Sequence, residues 1–228
     1  MDFGFSIRDN NVLLKYSLEP WKRTASDIAK PNLVLNPDEA GALKDEIIYE
    51  VYNLWKTNPA LAVLEKEHKL MVDLTVMNKG ILSKSGFGEL YLTKGHVHEK
   101  KTGELYILLK GKAYLLMFSP EKNQLIVVLM KEKTAYIIPK GHFHRIVSAE
   151  KSYLVNAVPS EAGHDYDIFE KKGIPMHILF NKKTNSTYFV LTNLKTKVIE
   201  KNPLPSGKYE KMLEKNPDEL RKLLVTGK

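Results

Sequence analysis

Short apolar runs follow one another at roughly ten-residue spacing from about residue 70 onward, a pattern typical of sandwiches and barrels. Turn-forming residues separate the runs, as in Lys110-Gly111-Lys112. No strong helical pattern interrupts residues 70–160, which favours an antiparallel β core over an α/β fold. The predicted strands are Leu70–Met77, Glu89–Thr93, Glu104–Leu109, Lys112–Phe118, Gln124–Met130, Ala135–Ile138, Arg145–Ser148, Tyr153–Val158 and Thr187–Leu191.

The two ends of the chain follow different patterns. Asn36-Pro37 predicts the start of a short helix, and the β-rich stretch 47–52 predicts a strand. Residues 203–207 predict a linker, and Asn216-Pro217 begins a helix that we expect to pack on the sheets or on a neighbouring subunit. We therefore predict a single domain over residues 1–200, with an N-terminal extension and a core at about 70–160, followed by a helical tail over 201–228.

Composition narrows the class of protein. Hydrophobic residues make up 43% of the chain, enough for a core, and no apolar run approaches the roughly 20 residues that span a bilayer. The absence of cysteine excludes disulfides, Cys-ligated zinc and Cys catalysis. Because no signal-peptide pattern opens the sequence, we expect a cytoplasmic protein without a membrane partner.

The formal net charge of +8 is compatible with an anionic small molecule or with nucleic acid. The lysines are scattered along the chain, and no nucleic-acid-binding motif is present. A solvated, lysine-rich surface explains the charge, so we expect no nucleic-acid partner.

His96 and His98 carry the first chemical signal. Two histidines at positions i and i+2 of a strand point to the same face, and Gly95 lets the backbone approach a bound group closely. The chain returns with Glu104 at the start of the next predicted strand, which brings a carboxylate near the imidazoles. Glu99 is the alternative acid, but it lies among lysines, whereas Glu104 begins an apolar strand.

A second histidine pair follows the turn Pro139-Lys140-Gly141. His142 and His144 share a face, and only one of them is needed to complete a site. Three imidazoles and one carboxylate suit Fe(II), Mn, Ni, Zn or Co, and they leave coordination positions open for a substrate.

These motifs resemble those of the cupin superfamily. The residues that match the two cupin motifs are Gly95, His96, His98, Glu104 and Gly111 in the first, and Pro139, Gly141 and His144 in the second. Within the cupins, the chain is similar to the archaeal cupin-type glucose-6-phosphate isomerases. The stretches that carry this similarity are Thr93–His98, Glu104–Tyr106, Leu109–Lys112, His144-Arg145 and, most specifically, Ala162–Tyr166.

The resemblance implies an all-β cupin double-stranded β-helix, or jelly-roll barrel, with short N-terminal helix and strand additions and a C-terminal helical tail. It implies one divalent metal ion per subunit, with Fe(II) as the first choice and Ni, Mn, Co or Zn as alternatives. The metal ligands that it implies are His96, His98, Glu104 and His144.

The activity implied by the resemblance is the interconversion of glucose 6-phosphate and fructose 6-phosphate in glycolysis and gluconeogenesis, by a homodimer. The reaction would run through a cis-enediolate or a metal-assisted hydride shift, with Glu104 and His164 as the catalytic candidates. The candidate substrate-binding residues are Thr75, Thr93, Gly95, Tyr52, Tyr106 and Tyr166. The alternatives are another metal-dependent cupin enzyme, such as a dioxygenase or a different sugar-phosphate isomerase or epimerase, and a non-enzymatic sugar-binding cupin.

Overall fold

Strands provide most of the regular structure in the computed structural model, which describes residues 2–228. The strands are β1 (Phe5–Arg8), β2 (Asn11–Leu14), β3 (Trp21–Thr24), β4 (Ile47–Tyr52), β5 (Leu70–Met77), β6 (Phe87–Glu89), β7 (Glu104–Lys110), β8 (Lys112–Ser119), β9 (Gln124–Lys131), β10 (Thr134–Ile138), β11 (Phe143–Ser148), β12 (Ser152–Pro159), β13 (Met176–Asn181), β14 (Ser186–Leu191), β15 (Lys197–Lys201) and β16 (Leu204–Pro205). The helices are α1 (Ala25–Ile28), α2 (Pro37–Gly41), α3 (Pro59–His68), α4 (Tyr166–Lys172), α5 (Gly207–Lys215) and α6 (Pro217–Thr226). The run from β5 to β12 contains no helix, which confirms the predicted all-β core.

Two sheets pack face to face around the main core. The larger has the strand order β16-β10-β7-β12-β5-β4-β3, and the smaller has the order β11-β8-β9-β15, in which β15 runs parallel to β9. A three-stranded sheet, β14-β13-β6, and the hairpin β1-β2 complete the strand pairing of the described residues. The strands form packed open sheets rather than one closed barrel, an arrangement consistent with the predicted cupin fold.

The larger sheet is buried on both of its faces, and β7 shows why. Leu105 and Ile107 point outward into a core shared with the helices, whereas Tyr106 and Leu108 point inward toward the smaller sheet. Successive side chains of a strand alternate between faces, so a sheet covered on both sides needs apolar residues at nearly every position. This explains the continuous apolar runs in the sequence.

Three helices cover the outer face of the larger sheet. Leu64 of α3, Leu213 of α5 and Leu220 of α6 are buried against it. The C-terminal segment therefore packs on the sheets, as one of the two sequence-based alternatives predicts. The backbone N–H of Gly103 also donates a hydrogen bond of 2.7 Å to the carbonyl oxygen of Leu224, near the end of α6. The division of the chain after residue 200 stays a prediction.

Local sequence patterns correctly predicted the positions of several strands and helices. Leu70–Met77 and the strand at 47–52 are confirmed, and α2 begins after Asn36, whose side chain accepts a hydrogen bond from the Glu39 backbone at 3.2 Å. The linker prediction for 203–207 is wrong in part, because β16 within it pairs with β10. A proline at the sheet edge is compatible with such pairing.

The strand predicted at 89–93 is shifted. Strand β6 ends at Glu89, and Leu90 and Leu92 form only isolated bridges, with Ile81 and Val147. The segment therefore leaves one sheet and approaches another, which brings Thr93 and the residues after it to the inner cavity described below.

Candidate metal centre

Four predicted ligands converge at one point inside the fold. One nitrogen each of His96, His98 and His144 and one carboxylate oxygen of Glu104 all lie within 4.8 Å of one another. His98, Glu104 and His144 are buried, and His96 is half-buried. The two histidine motifs meet because His96 and His144 form a two-way backbone bridge, with N···O distances of 3.1 and 3.0 Å.

Gly95 permits this close approach. Its φ of +81° lies in the left-handed region that favours glycine. A Cβ at this position would lie 2.9 Å from the carbonyl oxygen of His144 and would also collide with the ring of Phe169. Glycine is therefore the residue that lets the first histidine motif lie against the second.

Hydrogen bonds orient two of the imidazoles. The Nδ1 atom of His98 lies 2.9 Å from the carbonyl oxygen of Thr102, and the Nδ1 atom of His144 lies 3.1 Å from that of His142. A carbonyl accepts a hydrogen bond, so each Nδ1 carries a proton and each Nε2 points to the centre, where it can bind a metal ion. This is the outer hydrogen-bonding pattern that metal-bound histidines usually show.

The Nε2 atoms face a carboxylate oxygen rather than a donor. Oε2 of Glu104 lies 3.0 Å from Nε2 of His144, 3.4 Å from that of His98 and 3.7 Å from that of His96. Acceptor atoms at these distances repel one another unless protons on the imidazoles or a metal ion lie among them. Ligand atoms at about 2.1 Å from a metal lie about 3 Å apart when they are neighbours, so the separations fit a shared ion. The cluster therefore suits a divalent metal.

The protonation of the cluster follows the same electrostatics. Burial opposes ionisation of Glu104, but hydrogen bonding to the three histidines outweighs burial and holds the pKa of the carboxyl well below its ordinary value. Burial lowers the pKa of His96, so its imidazole is neutral at pH 7. Burial acts in the same direction on His98, but contact with Glu104 outweighs it and raises the pKa of that imidazole. Glu104 is thus an anion that attracts a cation.

Asn156, on β12, holds the other oxygen of this carboxylate. Its Nδ2 donates a hydrogen bond of 2.8 Å to Oε1 of Glu104, and its Oδ1 lies 3.4 Å from the Thr75 hydroxyl. Strand β12 is otherwise almost wholly apolar between residues 153 and 158. A single amide within such a buried strand is a sequence signal for a polar site, which the sequence analysis missed.

An inner cavity opens in front of the cluster. All the predicted substrate-binding residues except Tyr52 line it, together with His164. Its predicted lining residues outside the metal cluster are Thr75, Thr93, Gly95, Tyr106, His164 and Tyr166. The ring of His164 lies 4.3 Å from that of His96, centroid to centroid, and burial lowers the pKa of His164. The sequence thus identified most of this cavity.

Tyr52 is the exception. Its hydroxyl donates a hydrogen bond of 3.1 Å to Glu50, and its ring packs against the outer core under the helices. Tyr49 lines the inner cavity instead, and its hydroxyl accepts a hydrogen bond of 3.3 Å from the Lys94 backbone. Residues 49 and 52 fall on opposite faces of β4 because a strand alternates with a period of two.

His142 lies outside the cluster. Its Nδ1 atom lies 3.3 Å from the carbonyl oxygen of Lys140, and it is not among the four converging ligands. His142 and His144 both follow the turn Pro139-Lys140-Gly141, but the structure brings only His144 to the centre.

A second, outer cavity adjoins the first at its mouth. Arg23, Asn53 and Asp73 line the outer cavity, which shares Asp73, His164 and Tyr166 with the inner one. The Arg23 guanidinium stacks on Trp21 at 5.1 Å, centroid to Cζ. Sequence patterns gave no reason to select these residues, because the N-terminal strand that carries Arg23 reaches the site only through its pairing with β4.

None of the helices between residues 2 and 228 has the length and apolar character needed to cross a membrane.

Comparisons with known proteins agree with these motifs. The family model described as glucose-6-phosphate isomerase matches residues 22–188. Glucose-6-phosphate isomerases from Pyrococcus abyssi and Pyrococcus horikoshii are 34% and 35% identical to this chain over 133 residues. That stretch covers 57% of this chain and 64% of either relative, so the chain spans less than two thirds of the relatives' length.

A putative glucose-6-phosphate isomerase from Rhizobium meliloti is 28% identical over 132 residues, covering 57% of this chain and 56% of the relative. Among solved structures, oxalate decarboxylase from Bacillus subtilis aligns with a TM-score of 0.36 and 13% identity, covering 49% of this chain and 25% of that one. The family model covers far more than half of the chain and includes both histidine motifs and the 162–166 segment. The chain belongs to the glucose-6-phosphate isomerase family.

Proposed function

We propose that this protein interconverts glucose 6-phosphate and fructose 6-phosphate, with one divalent metal ion held by His96, His98, Glu104 and His144. The convergence of these four ligand atoms within 4.8 Å, at the wall of a polar cavity, carries the proposal. Family membership and the shared motifs support it. When bound, the metal ion would supply Lewis-acid polarisation of the sugar oxygens at C1 and C2.

The inner cavity offers groups for the rest of the substrate. Thr93 and Gly95 lie beside the metal ligands on the same segment, and the Tyr166 ring lies 5.8 Å from that of His96. We assign the phosphate to the Thr93 hydroxyl, the Gly95 backbone N–H and the Tyr166 hydroxyl. Thr75, Tyr106 and Tyr49 line the same cavity and are candidates for the sugar hydroxyls. No substrate-binding role follows for Tyr52, which packs elsewhere.

Proton transfer needs a group beside C1 and C2. Glu104 is one candidate, as both ligand and base, and His164 is the other, because its ring lies against His96 at the cavity wall. His164 would act in ring opening or in moving the proton between oxygens. Both a cis-enediolate route and a hydride shift are compatible with these positions.

Further properties belong to the same proposal. We infer Fe(II) as the metal, with Ni, Mn, Co and Zn as alternatives that the three imidazoles and one carboxylate also suit. We infer a homodimer, which the exposed rings of Tyr188 and Phe189 on the edge strand β14 support, with 46% and 51% of their surface exposed. A cytoplasmic location and the absence of a nucleic-acid partner complete the proposal.

The test is a coupled assay of fructose 6-phosphate conversion to glucose 6-phosphate. Chelator-treated protein is compared with the same protein after addition of Fe(II), Mn, Ni, Co or Zn. We expect activity that returns with at least one metal. Folded, metal-loaded protein that is inactive with every metal would contradict the isomerase proposal and leave an oxygen-consuming or other metal-dependent cupin enzyme to be assayed.

A further inference from the structure

Asp73 is a carboxylate at the cavity wall for which the proposed chemistry has no use. It lines both the inner cavity, beside the metal cluster, and the outer cavity, beside Arg23. Thr75, two residues further along β5, lines the inner cavity as well, so both side chains point inward from the same face of the strand.

Strand register places Asp73 close to the centre. Asp73 is paired with Asn156 on β12, and Asn156 is paired with Tyr106 on β7. Adjacent strands lie about 4.8 Å apart, so the Asp73 carboxylate is one strand away from the amide that holds Glu104. A substrate with its reactive end at the metal cluster would pass this wall.

The hydrogen bonding of Asp73 leaves capacity for a ligand. Its Oδ1 accepts a hydrogen bond of 2.9 Å from Nδ2 of Asn53, and the Trp55 side chain and the Lys56 charge also favour its ionised form. An ionised carboxylate has about four acceptor sites, and hydroxyl groups are suitable donors for the remaining ones.

The electrostatics agree with a role in ligand binding rather than in stability. Burial raises the pKa of Asp73 to about 6, and the nearby charge of Glu104 acts in the same direction, whereas Asn53, Lys56 and Trp55 act against it. A carboxylate in such a position reduces the stability of the folded state at neutral pH. Groups that cost stability are typical of functional sites.

We propose that the Asp73 carboxylate accepts a hydrogen bond from a hydroxyl of the sugar chain and thereby selects polyol phosphates that carry this hydroxyl. The inference rests on the proposed function for its substrate class. It makes Asp73 a specificity-determining residue, which binds substrate but neither ligates metal nor transfers the proton between C1 and C2.

The experiment uses metal-loaded wild type and the variants D73A, D73N and N53A. Calorimetry measures binding of sorbitol 6-phosphate and its 3-deoxy and 4-deoxy analogues, and the coupled assay measures KM and kcat for fructose 6-phosphate. A hydrogen bond to a charged acceptor corresponds to about a tenfold to hundredfold change in affinity. We therefore expect D73A to bind sorbitol 6-phosphate at least about tenfold more weakly, with KM raised and kcat changed less.

The deoxy analogues identify the hydroxyl. Wild type should bind one of the two deoxy analogues about tenfold more weakly than sorbitol 6-phosphate. D73A should bind that analogue and sorbitol 6-phosphate equally, since the partner of the missing hydroxyl is gone. N53A keeps the carboxylate and should keep the discrimination. If D73A still discriminates like wild type, or if N53A loses discrimination as D73A does, the proposal is overturned and the Asp73–Asn53 contact is structural.

The two proposals can fail separately. Wild type that binds sorbitol 6-phosphate but isomerises nothing with any metal contradicts the proposed function, while the calorimetric comparison still decides the role of Asp73. Wild type that isomerises, with D73A unchanged in KM and affinity, contradicts only the role of Asp73. If calorimetry shows that wild type binds no polyol phosphate, the proposed role of Asp73 is overturned.

Discussion

The amide of Asn156 and the carboxylate of Glu104 form the hydrogen bond that fixes which oxygen faces the histidines. Nδ2 of Asn156 lies 2.8 Å from Oε1 of Glu104, and Oε2 is thereby directed toward the three imidazoles. The two residues are far apart in sequence, on β12 and β7, which are neighbours in the larger sheet. The orientation of the only acidic ligand in the cluster thus depends on strand pairing.

Substitution N156A should weaken metal binding. Loss of the amide frees the carboxylate to rotate and leaves Oε1 buried without its donor, and loss of such an outer partner typically costs about tenfold to a hundredfold in metal affinity. Metal titration of the chelator-treated variant measures the change. The control is N78A, which removes an amide hydrogen bond of 2.8 Å to Ile47 away from the cluster. Equal affinities in N156A and wild type would contradict the assigned role.

The two histidines after the Pro139 turn should differ sharply in function. H144A removes a buried ligand and should abolish stoichiometric metal binding and isomerase activity, whereas H142A should keep both. The backbone carbonyl of residue 142 that orients His144 remains in H142A. Metal analysis of purified proteins, with circular dichroism as the check on folding, separates the two. Metal retained by folded H144A would remove this residue from the ligand set.

Gly95 should tolerate a methyl group much less well than Gly141. Both have positive φ, +81° and +74°, so alanine costs roughly 1–2 kcal/mol of backbone strain at either position. At Gly95 the Cβ also meets Phe169 and the His144 carbonyl, whereas at Gly141 nothing lies within 4 Å. We expect G95A to lose about 1–3 kcal/mol more unfolding free energy than G141A, because overpacking adds to the strain. Urea denaturation measures this, and equal losses would contradict the packing argument.

Substitution D73N should stabilise the fold at neutral pH. The pKa of Asp73 is about 6 in the folded protein and 3.8 in the unfolded chain. Between pH 3.8 and pH 6 the folded protein therefore holds a proton that the unfolded chain has released. Wild-type stability therefore falls as the pH rises through this window, and above it the full penalty, about 1–3 kcal/mol, persists.

Denaturation of chelator-treated protein at pH 4, 5.5 and 7 checks this prediction. The advantage of D73N over wild type should be near zero at pH 4 and largest at pH 7. A variant that is less stable than wild type at pH 7 would show that the carboxylate supports the fold.

The sequence predicted the elements whose signals are local. Capping by Asn36, the turn at Gly111 and the β-rich strand at 70–77 are decided by neighbouring residues, and the structure confirms them. The i, i+2 spacing of His96 and His98 predicts a shared face. The structure gives this segment isolated bridges rather than a strand, and both side chains still reach the cluster. The spacing therefore anticipated one pair of ligands, whereas the choice of His144 over His142 rested on the family resemblance.

The remaining parts of the site depend on long-range pairing. Asn156 and Asp73 reach the cavity because β12 lies beside both β7 and β5, and Arg23 does so because β3 pairs with β4. No local pattern distinguishes these residues from polar residues at the surface. The choice of Tyr52 rather than Tyr49 has a related cause, since which face of β4 is the inner one is decided by its neighbours.

The hydrogen bond from Gly103 to the Leu224 carbonyl connects the loop between His98 and Glu104 to the last helix of the chain. An ion held by His98 and Glu104 would restrain both ends of that loop, and with them the position of the Gly103 donor. Ion binding and helix docking are then thermodynamically linked, and the coupling free energy is the same in both directions. Amide hydrogen exchange in α6 should consequently be slower in metal-loaded than in metal-free protein.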